Sequence, residues 1–390
     1  MFADRLKNIK PFRVMEINEL AVQMENQGHK VVHFEVGEPD FPTAQTIAEA
    51  GKRAIDLGWT KYTAALGIPE LREKISGYYG SKGVHVATDR IVITTGASGG
   101  LTLLSALLLN PGDEILVTDP GYPANEVFGA LVNASHRRLA LNPKSDFQLS
   151  MSAVISEWDR EITRGLLISS PSNPTGVMLE RETLSGLARE IKKLDGFLIL
   201  DEVYQGLIYK DDCEYWTGIE IDPDIYLLNS FSKYFGMTGW RIGWMVVPAS
   251  AVEPLSRLAQ NLFICPPTIS QYAAIAAFET ESLKIHEERR AQFAKRRDLL
   301  AEGLTRLGFT IPVYPDGAFY IYADVSFSGM TSTEFCGLMI EKYHVAITPG
   351  TDFGTYDADR YVRFSYTTSV SDIKRGLNQI EKALLARGIF

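Results

Sequence analysis

"RIVITTGASGGLTLLSALLL", residues 90–109, sets how the rest of the chain is read. The first six residues are mostly apolar and β-branched, which suits a buried strand. Gly96 to Gly100 form a glycine-rich turn, and the nine residues from Leu101 to Leu109 are almost uniformly apolar. A bilayer span needs ~20 such residues, so this segment reads as a helix covered by protein.

The same rhythm of strand, short polar loop and helix continues on the C-terminal side. Strands are expected in "DEILVTD" (113–119), "HRRLAL" (136–141), "GLLISS" (165–170), "GFLILDEVY" (196–204), "DIYLLNS" (224–230) and "GWMVVP" (243–248). After "PSNPTG", Leu179, Leu184, Leu187, Ile191 and Leu194 recur at helical spacing, with Gly196 as the stop. Such alternation predicts an α/β protein with a large, mostly parallel seven-stranded sheet sandwiched by helices. Sheets of this kind bind ligands at the carboxyl ends of their strands. Gly96, Ala97, Ser98, Tyr122, Asn173, Asp201, Tyr204, Ser230 and Lys233 all fall at such ends, so they are expected to converge.

The style changes after residue 280. Residues 282–308 read as one long charged helix, "GAFYIYADV" and "RYVRFSY" as short strands, and Ser369 to Arg387 as an amphipathic helix with Ile373, Leu377, Ile380 and Leu384 on one face. The expectation is a large domain over 46–289 and a smaller α/β domain built from both termini, 1–45 and 290–390.

Composition narrows the function. The chain has 390 residues, 45% of them apolar and 22% charged, enough for a large core. Its 48 acidic against 39 basic residues argue against nucleic acid or an anionic membrane as partner through a general basic surface. Cys213, Cys265 and Cys336 lie far apart, and the six histidines form no HExxH-like cluster. No metal is expected, and a reduced, cytoplasmic chain is. The start, "MFADRLKNIKPFRVMEIN", lacks the apolar run of a secretory leader.

The chemistry concentrates in "SFSKYFGMTGWRIGW", Ser230 to Trp244, where one amine and one guanidinium stand among apolar residues and glycines. A lysine with its usual pKa of ~10.4 is a poor nucleophile at neutral pH. Lys233 in an apolar pocket would titrate lower and attack a carbonyl. Arg241 and the Ser230 hydroxyl are suited to phosphate. The Gly96–Ser98 turn offers free backbone N–H groups at a helix start for the same anion. Asp201, at a strand end, reads as an acceptor for a protonated ring nitrogen, with Tyr204 as a hydroxyl donor and Tyr122 as a stacking ring.

Ser-x-Ser-Lys (230–233), Gly-x-Arg-x-Gly (239–243), Asp-x-x-Tyr (201–204) and "NPTG" (173–176) together resemble the class I/II aminotransferases, pyridoxal-phosphate enzymes of fold type I. "EVGEPDFPT" (35–43), "KYTAALGIPELRE" (61–73), "TISQYAA" (268–274) and "VAITPGTDFG" with "VRFSY" (345–366) extend the resemblance through nearly the whole chain. The resemblance implies pyridoxal 5'-phosphate as cofactor and Lys233 as its Schiff-base lysine. It implies Asp201 at the pyridine nitrogen, Asn173 and Tyr204 near the ring hydroxyl, and Tyr122 on the ring. Gly96, Ala97, Ser98, Ser230 and Arg241 match the phosphate cup, and Ala97 stands where several relatives have glycine. Tyr62 matches the tyrosine that reaches the other subunit's phosphate, implying a homodimer with composite sites. Arg363 matches the grip on the substrate α-carboxylate, with Asn173 beside it and Gly37 offering a backbone contact.

The implied reaction moves an amino group between an L-amino acid and a 2-oxo acid in a ping-pong cycle. It is aspartate-aminotransferase-like, with 2-oxoglutarate as one partner. Lys233 serves as base and then acid, and Asp201 and Tyr204 tune the ring. Two alternatives stay open from the residues alone: a C–S β-lyase on the same scaffold, and a non-catalytic regulatory module. A distal carboxylate needs a second cation, and "GASGGLTLLSALLLN" holds none. Arg13, another loop or a partner chain are the sources left.

Overall fold

The computed structural model describes residues 2–9, 11–209 and 216–389; Cys213 lies outside them. A two-residue strand, β1 (Val32–His33), precedes seven that form one sheet: β2 (Ile91–Thr94), β3 (Glu114–Asp119), β4 (Ser135–Ala140), β5 (Thr163–Ser169), β6 (Phe197–Asp201), β7 (Tyr226–Ser230) and β8 (Gly243–Val246). Their order is β2-β8-β7-β6-β5-β3-β4. The pairs among β3, β4, β5, β6 and β7 are parallel, and only β8 runs antiparallel to its neighbours β2 and β7.

These strands are continuous apolar runs because both faces are covered. Along β6 and β5, Leu198, Leu200, Leu166 and Ile168 pack on one side with Leu184, Leu187 and Ile191 of the helix Arg181–Lys193. Ile199 and Leu167 point the other way, into a cluster with Leu101 and Leu104 of the helix Gly96–Leu108. Truncating a fully buried leucine such as Leu200 to alanine costs about 2–5 kcal/mol. The edge strand β4, "SHRRLA", is largely polar and exposed, which blunts an otherwise open edge.

Two details of the helix Arg181–Lys193 differ from the sequence expectation. Leu179 lies before it, in an extended segment whose Leu179 N–H donates to Ser170 Oγ at 3.0 Å. The chain reverses at Asp195, which takes the left-handed conformation (φ +53°), rather than at Gly196. Gly196 closes the turn instead, donating to Ile191 O at 2.9 Å. A side chain there would strike Trp158, since a Cβ would fall 2.4 Å from its ring.

The remaining strands are β9 (Tyr320–Asp324), β10 (Val345–Ala346), β11 (Thr348–Pro349) and β12 (Tyr361–Ser365). β11, β12 and β9 form an antiparallel sheet, and β1 pairs in parallel with β10. The long helix Thr280–Arg306 and the last helix Val370–Ala386 pack beside them, close to the spans expected. Among the described residues no helix is long and apolar enough to cross a membrane. Nor does any cluster of histidine, cysteine and carboxylate among them have the make-up of a metal site.

Candidate active site

The parallel strands leave their carboxyl ends on one edge of the sheet. Thr94 of β2 and Ser230 of β7 both sit opposite Gly243 of β8. Asp201 of β6 sits opposite Ser169 of β5. The loops leaving these ends carry most of the residues singled out above.

At the β2 end the helix Gly96–Leu108 begins without a side-chain cap, so its first N–H groups lack helical partners and form an anion-binding end. Gly96 has φ +67°, and a Cβ on it would lie 2.6 Å from Arg241 Nη2; the guanidinium therefore lies against the helix start. The close approach of β8 is also a glycine requirement, since a Cβ on Gly243 would stand 2.8 Å from Asn229 O and 3.1 Å from Ala97 N. Arg241 is itself left-handed (φ +52°), and its Nη1 donates to Thr238 O at 3.0 Å. Ser230 is buried and its Oγ accepts from Ser232 N at 3.0 Å. An arginine, a serine hydroxyl and a bare helix N-terminus form a donor set that fits a phosphate group.

Next along the edge, Asp201 is buried and accepts from Val203 N at 3.1 Å. Burial raises its pKa to about 6, against the pull of the Val203 N–H, Lys233 and Ser169. A buried carboxylate that no cation among the described residues touches fits a protonated ring nitrogen. Lys233 donates from Nζ to the carbonyl of Gly37 at 2.8 Å and stands 5.7 Å from the ring centres of Tyr204 and Phe319. Burial pushes its pKa down to about 8; Glu38 and Asp201 oppose the shift, and Arg363 and Arg241 add to it. The amine is thus a nucleophile for a sizeable fraction of the time near neutrality. Tyr122 is half-buried, with Phe12 edge-on at 6.1 Å.

Arg363 of β12 is 3% exposed. It donates to Asn173 Oδ1 at 3.0 Å, to Thr348 Oγ1 at 3.4 Å and, by a short bond, to Glu35 O. Its Nε has no partner among the described residues. Its guanidinium carbon lies 4.3 Å from the Tyr320 ring centre and 4.6 Å from that of Phe353. Among the described residues no carboxylate pairs with it. Asp352 feels its charge through space, but a buried guanidinium with no carboxylate in its fork is costly unless a ligand supplies one, and a carboxylate matches that fork.

Lys233, Asp201, Tyr204, Asn173, Gly37 and Arg363 are therefore brought together, with Gly96, Ala97, Ser230 and Arg241 grouped at the start of the helix Gly96–Leu108. Ser98 sits on the exposed side of the first helical turn. Tyr62 stands apart, 78% exposed. Arg13 is exposed too; its N–H donates to Asp352 at 3.1 Å and its Nη1 reaches Thr333 at 3.5 Å. Tyr320, Phe319, Phe353, Thr348 and the Glu35 carbonyl are site residues that motif reading passed over. Glu35 contributes its backbone carbonyl, while Thr348, Tyr320 and Phe353 contribute side chains that meet Arg363 only in the folded chain.

An amine poised near neutrality beside an anion-binding helix start suits a phosphorylated aldehyde, and a buried aspartate in reach of the same amine suits that aldehyde's ring nitrogen. The fold and the site together define a pyridoxal-phosphate enzyme of the seven-stranded kind. The chain belongs to the aminotransferase class I and II family, whose model matches residues 29–380, and the family is pyridoxal-phosphate dependent. It is 37% identical to a (5-formylfuran-3-yl)methyl phosphate transaminase of Methanocaldococcus jannaschii over 98% of this chain and all of that one. It is 35% identical to a valine–pyruvate aminotransferase of Mycobacterium tuberculosis over 95% of this chain and 96% of that one. Among solved structures, the aspartate aminotransferase of Thermus thermophilus with maleate superposes with a TM-score of 0.92 at 31% identity, covering 98% of this chain and 100% of that one. The protein is an aminotransferase.

Proposed function

We propose that the enzyme transfers the amino group of an L-α-amino acid to a 2-oxo acid in two half-reactions at one site, with 2-oxoglutarate as one oxo acid. The observation that carries this reading is Arg363, buried and, among the described residues, with no carboxylate hydrogen-bonded to it. Three relatives of similar identity bear three different substrate names, so overall likeness does not choose among substrates.

In this reading Arg363 and Asn173 hold the α-carboxylate and so fix the Cα–H bond relative to Lys233. Bound pyridoxal phosphate supplies an electron sink for the bond that breaks. Asp201 keeps the ring nitrogen protonated, and Tyr204 donates to the ring oxygen. Lys233 would take the proton from Cα as base and deliver it as acid to the cofactor's former aldehyde carbon, a role suited to an amine whose pKa lies near the working pH. Gly96, Ala97, Ser230 and Arg241 anchor the phosphate, with Ser98 reaching it from the exposed side of the same helix start, and Tyr122 covers the ring.

A homodimer belongs to the same proposal. Tyr62, Trp59, Phe263 and Ile264 leave apolar surface exposed. Their segments adjoin: Thr268 Oγ1 donates to Lys61 O at 2.8 Å, and the Trp59 ring lies 4.5 Å from that of Tyr272. Such a surface suits a second copy of the chain. The domain division at 46–289 against both termini, and a cytoplasmic location, are proposed with it. The pairing of β1 with β10 supports the former.

The test is half-reaction spectroscopy. The loaded enzyme is mixed with a panel of amino acids and their α-amides while the cofactor band is followed. Free α-carboxylates should convert the band, amides should not, and 2-oxoglutarate should restore it. Release of pyruvate and ammonia without an oxo-acid acceptor would make the enzyme a lyase. In Lys233→Ala the covalent cofactor band should vanish and turnover should fall by at least about 10⁴; an intact band would remove the central role of Lys233.

A further inference from the structure

Tyr320 is a fully buried residue of β9 with three functional neighbours. Its hydroxyl lies 2.8 Å from that of Tyr204. Its ring lies under the guanidinium of Arg363, 4.3 Å from centre to carbon. Its third neighbour is Gly37, where a Cβ would fall 1.9 Å from the Tyr320 hydroxyl. Only glycine lets the two meet, and the Gly37 carbonyl is the one that accepts from Lys233. The Tyr320 backbone is pinned by the β9–β12 ladder, where it faces Ser365, and by the next ladder bond, Tyr366 N to Phe319 O at 3.0 Å. The side chain itself is fully buried.

We propose that Tyr320 is a positioning residue of the aminotransferase site: its hydroxyl donates to Tyr204, freeing the Tyr204 proton for the cofactor's ring oxygen, while its ring seats Arg363 for the substrate carboxylate. The inference rests on the roles proposed above for Tyr204 and Arg363. A hydroxyl that accepts one hydrogen bond becomes a better donor in the next, by roughly 10–30% per bond. If the proton between the two tyrosines ran the other way, Tyr204 would have none left for the cofactor. A guanidinium over an aromatic face gains attraction without losing its in-plane donors, so Arg363 can be held from below and still present its fork to a carboxylate. Among the described residues, the charged or titratable groups that act on the pair are Arg363 and Tyr122, with the Lys233 amine 5.7 Å from the Tyr204 ring centre.

The two parts of the side chain can be tested apart. Tyr320→Phe removes the hydroxyl and keeps the ring; Tyr320→Leu removes both. The loaded enzymes are titrated with pH while the visible cofactor band is read. Each is also titrated with butanoate, an unreactive monocarboxylate, by equilibrium binding. A hydrogen bond to the ring oxygen favours the more negative, high-pH form, so weakening it should raise the midpoint. Tyr320→Phe loses only the cooperative part of the Tyr204 bond, so it is expected to move the midpoint up by about 0.1–0.7 pH unit and to leave butanoate affinity within twofold. Tyr320→Leu should shift the midpoint the same way and weaken butanoate about threefold to tenfold. A Tyr320→Phe midpoint within 0.1 unit of wild type overturns the inference, even where Tyr320→Leu fails to fold, because phenylalanine preserves the packing. Loss of the wild-type band itself, or its survival in Lys233→Ala, would overturn the underlying reading instead.

Discussion

Arg363 and Asn173 lie 190 residues apart in the chain and share a 3.0 Å hydrogen bond, Nη1 donating to Oδ1. The bond joins β12 to the loop after β5. It also holds the amide of Asn173 in one orientation. The guanidinium spends its other resident bonds on the Glu35 carbonyl and Thr348, so its position is fixed before any substrate arrives.

Replacing Arg363 by lysine keeps the charge and loses the fork. An ammonium cannot hold Asn173 and Glu35 O while offering two parallel donors. Losing one partner of a buried charge pair costs roughly 2–5 kcal/mol. KM for amino acid and oxo acid should therefore rise by about 10²–10³ while the cofactor stays bound. Steady-state kinetics and the cofactor spectrum read both; a KM within threefold of wild type would show that the carboxylate binds elsewhere.

Gly96→Ala tests the phosphate end. An alanine at φ +67° costs about 1–2 kcal/mol of backbone strain. Its Cβ would also displace the end of the Arg241 side chain, 2.6 Å away. Arg241 can swing, so the fold should survive, but the guanidinium would leave the helix start. The apoenzyme should bind pyridoxal phosphate roughly tenfold to a hundredfold more weakly, measured by titration of the cofactor band. Unchanged affinity would place the phosphate away from this helix.

Much of this was legible from the sequence, for identifiable reasons. β6 shows itself because four apolar residues end at Asp201, and a charge closing an apolar run is visible in one dimension. Lys233 and Arg241 stand out against glycine and aromatic neighbours. Tyr320 does not, because its importance comes from the register of β9 against β12 and from the approach of Gly37, far away in the chain. β1, β10 and β11 have two residues each, too few to carry any periodicity. The helix Gln45–Asp56 buries only Ile47, Gly51 and Ala54, so small residues fill the stripe that larger apolar ones usually mark. Gly51 packs there against Trp240, whose ring would lie 2.5 Å from a Cβ, and no local pattern announces that contact.

Glu202, next to Asp201, gives a prediction about stability. It is buried; Thr217 Oγ1 lies 2.8 and 3.0 Å from its oxygens, and Gly218 N donates to it at 2.8 Å. Burial raises its pKa to about 8, over the opposing Gly218 and Thr217 hydrogen bonds and with a small push from Asp201. The folded state then binds one more proton than the unfolded chain between the ordinary glutamate pKa of ~4.3 and about 8. Stability from this group is complete below that window and declines as pH rises through it. Glutamine at 202 reproduces the neutral acid: its amide nitrogen can donate to Thr217 Oγ1 and its oxygen can accept from Gly218 N. Glu202→Gln should match wild type within about 1 °C at pH 5 and melt about 2–4 °C higher at pH 8.5. Melting curves of the two proteins over pH 5–9 decide it. Parallel curves would mean that Glu202 is ionised throughout, with a counter-charge supplied by the fold.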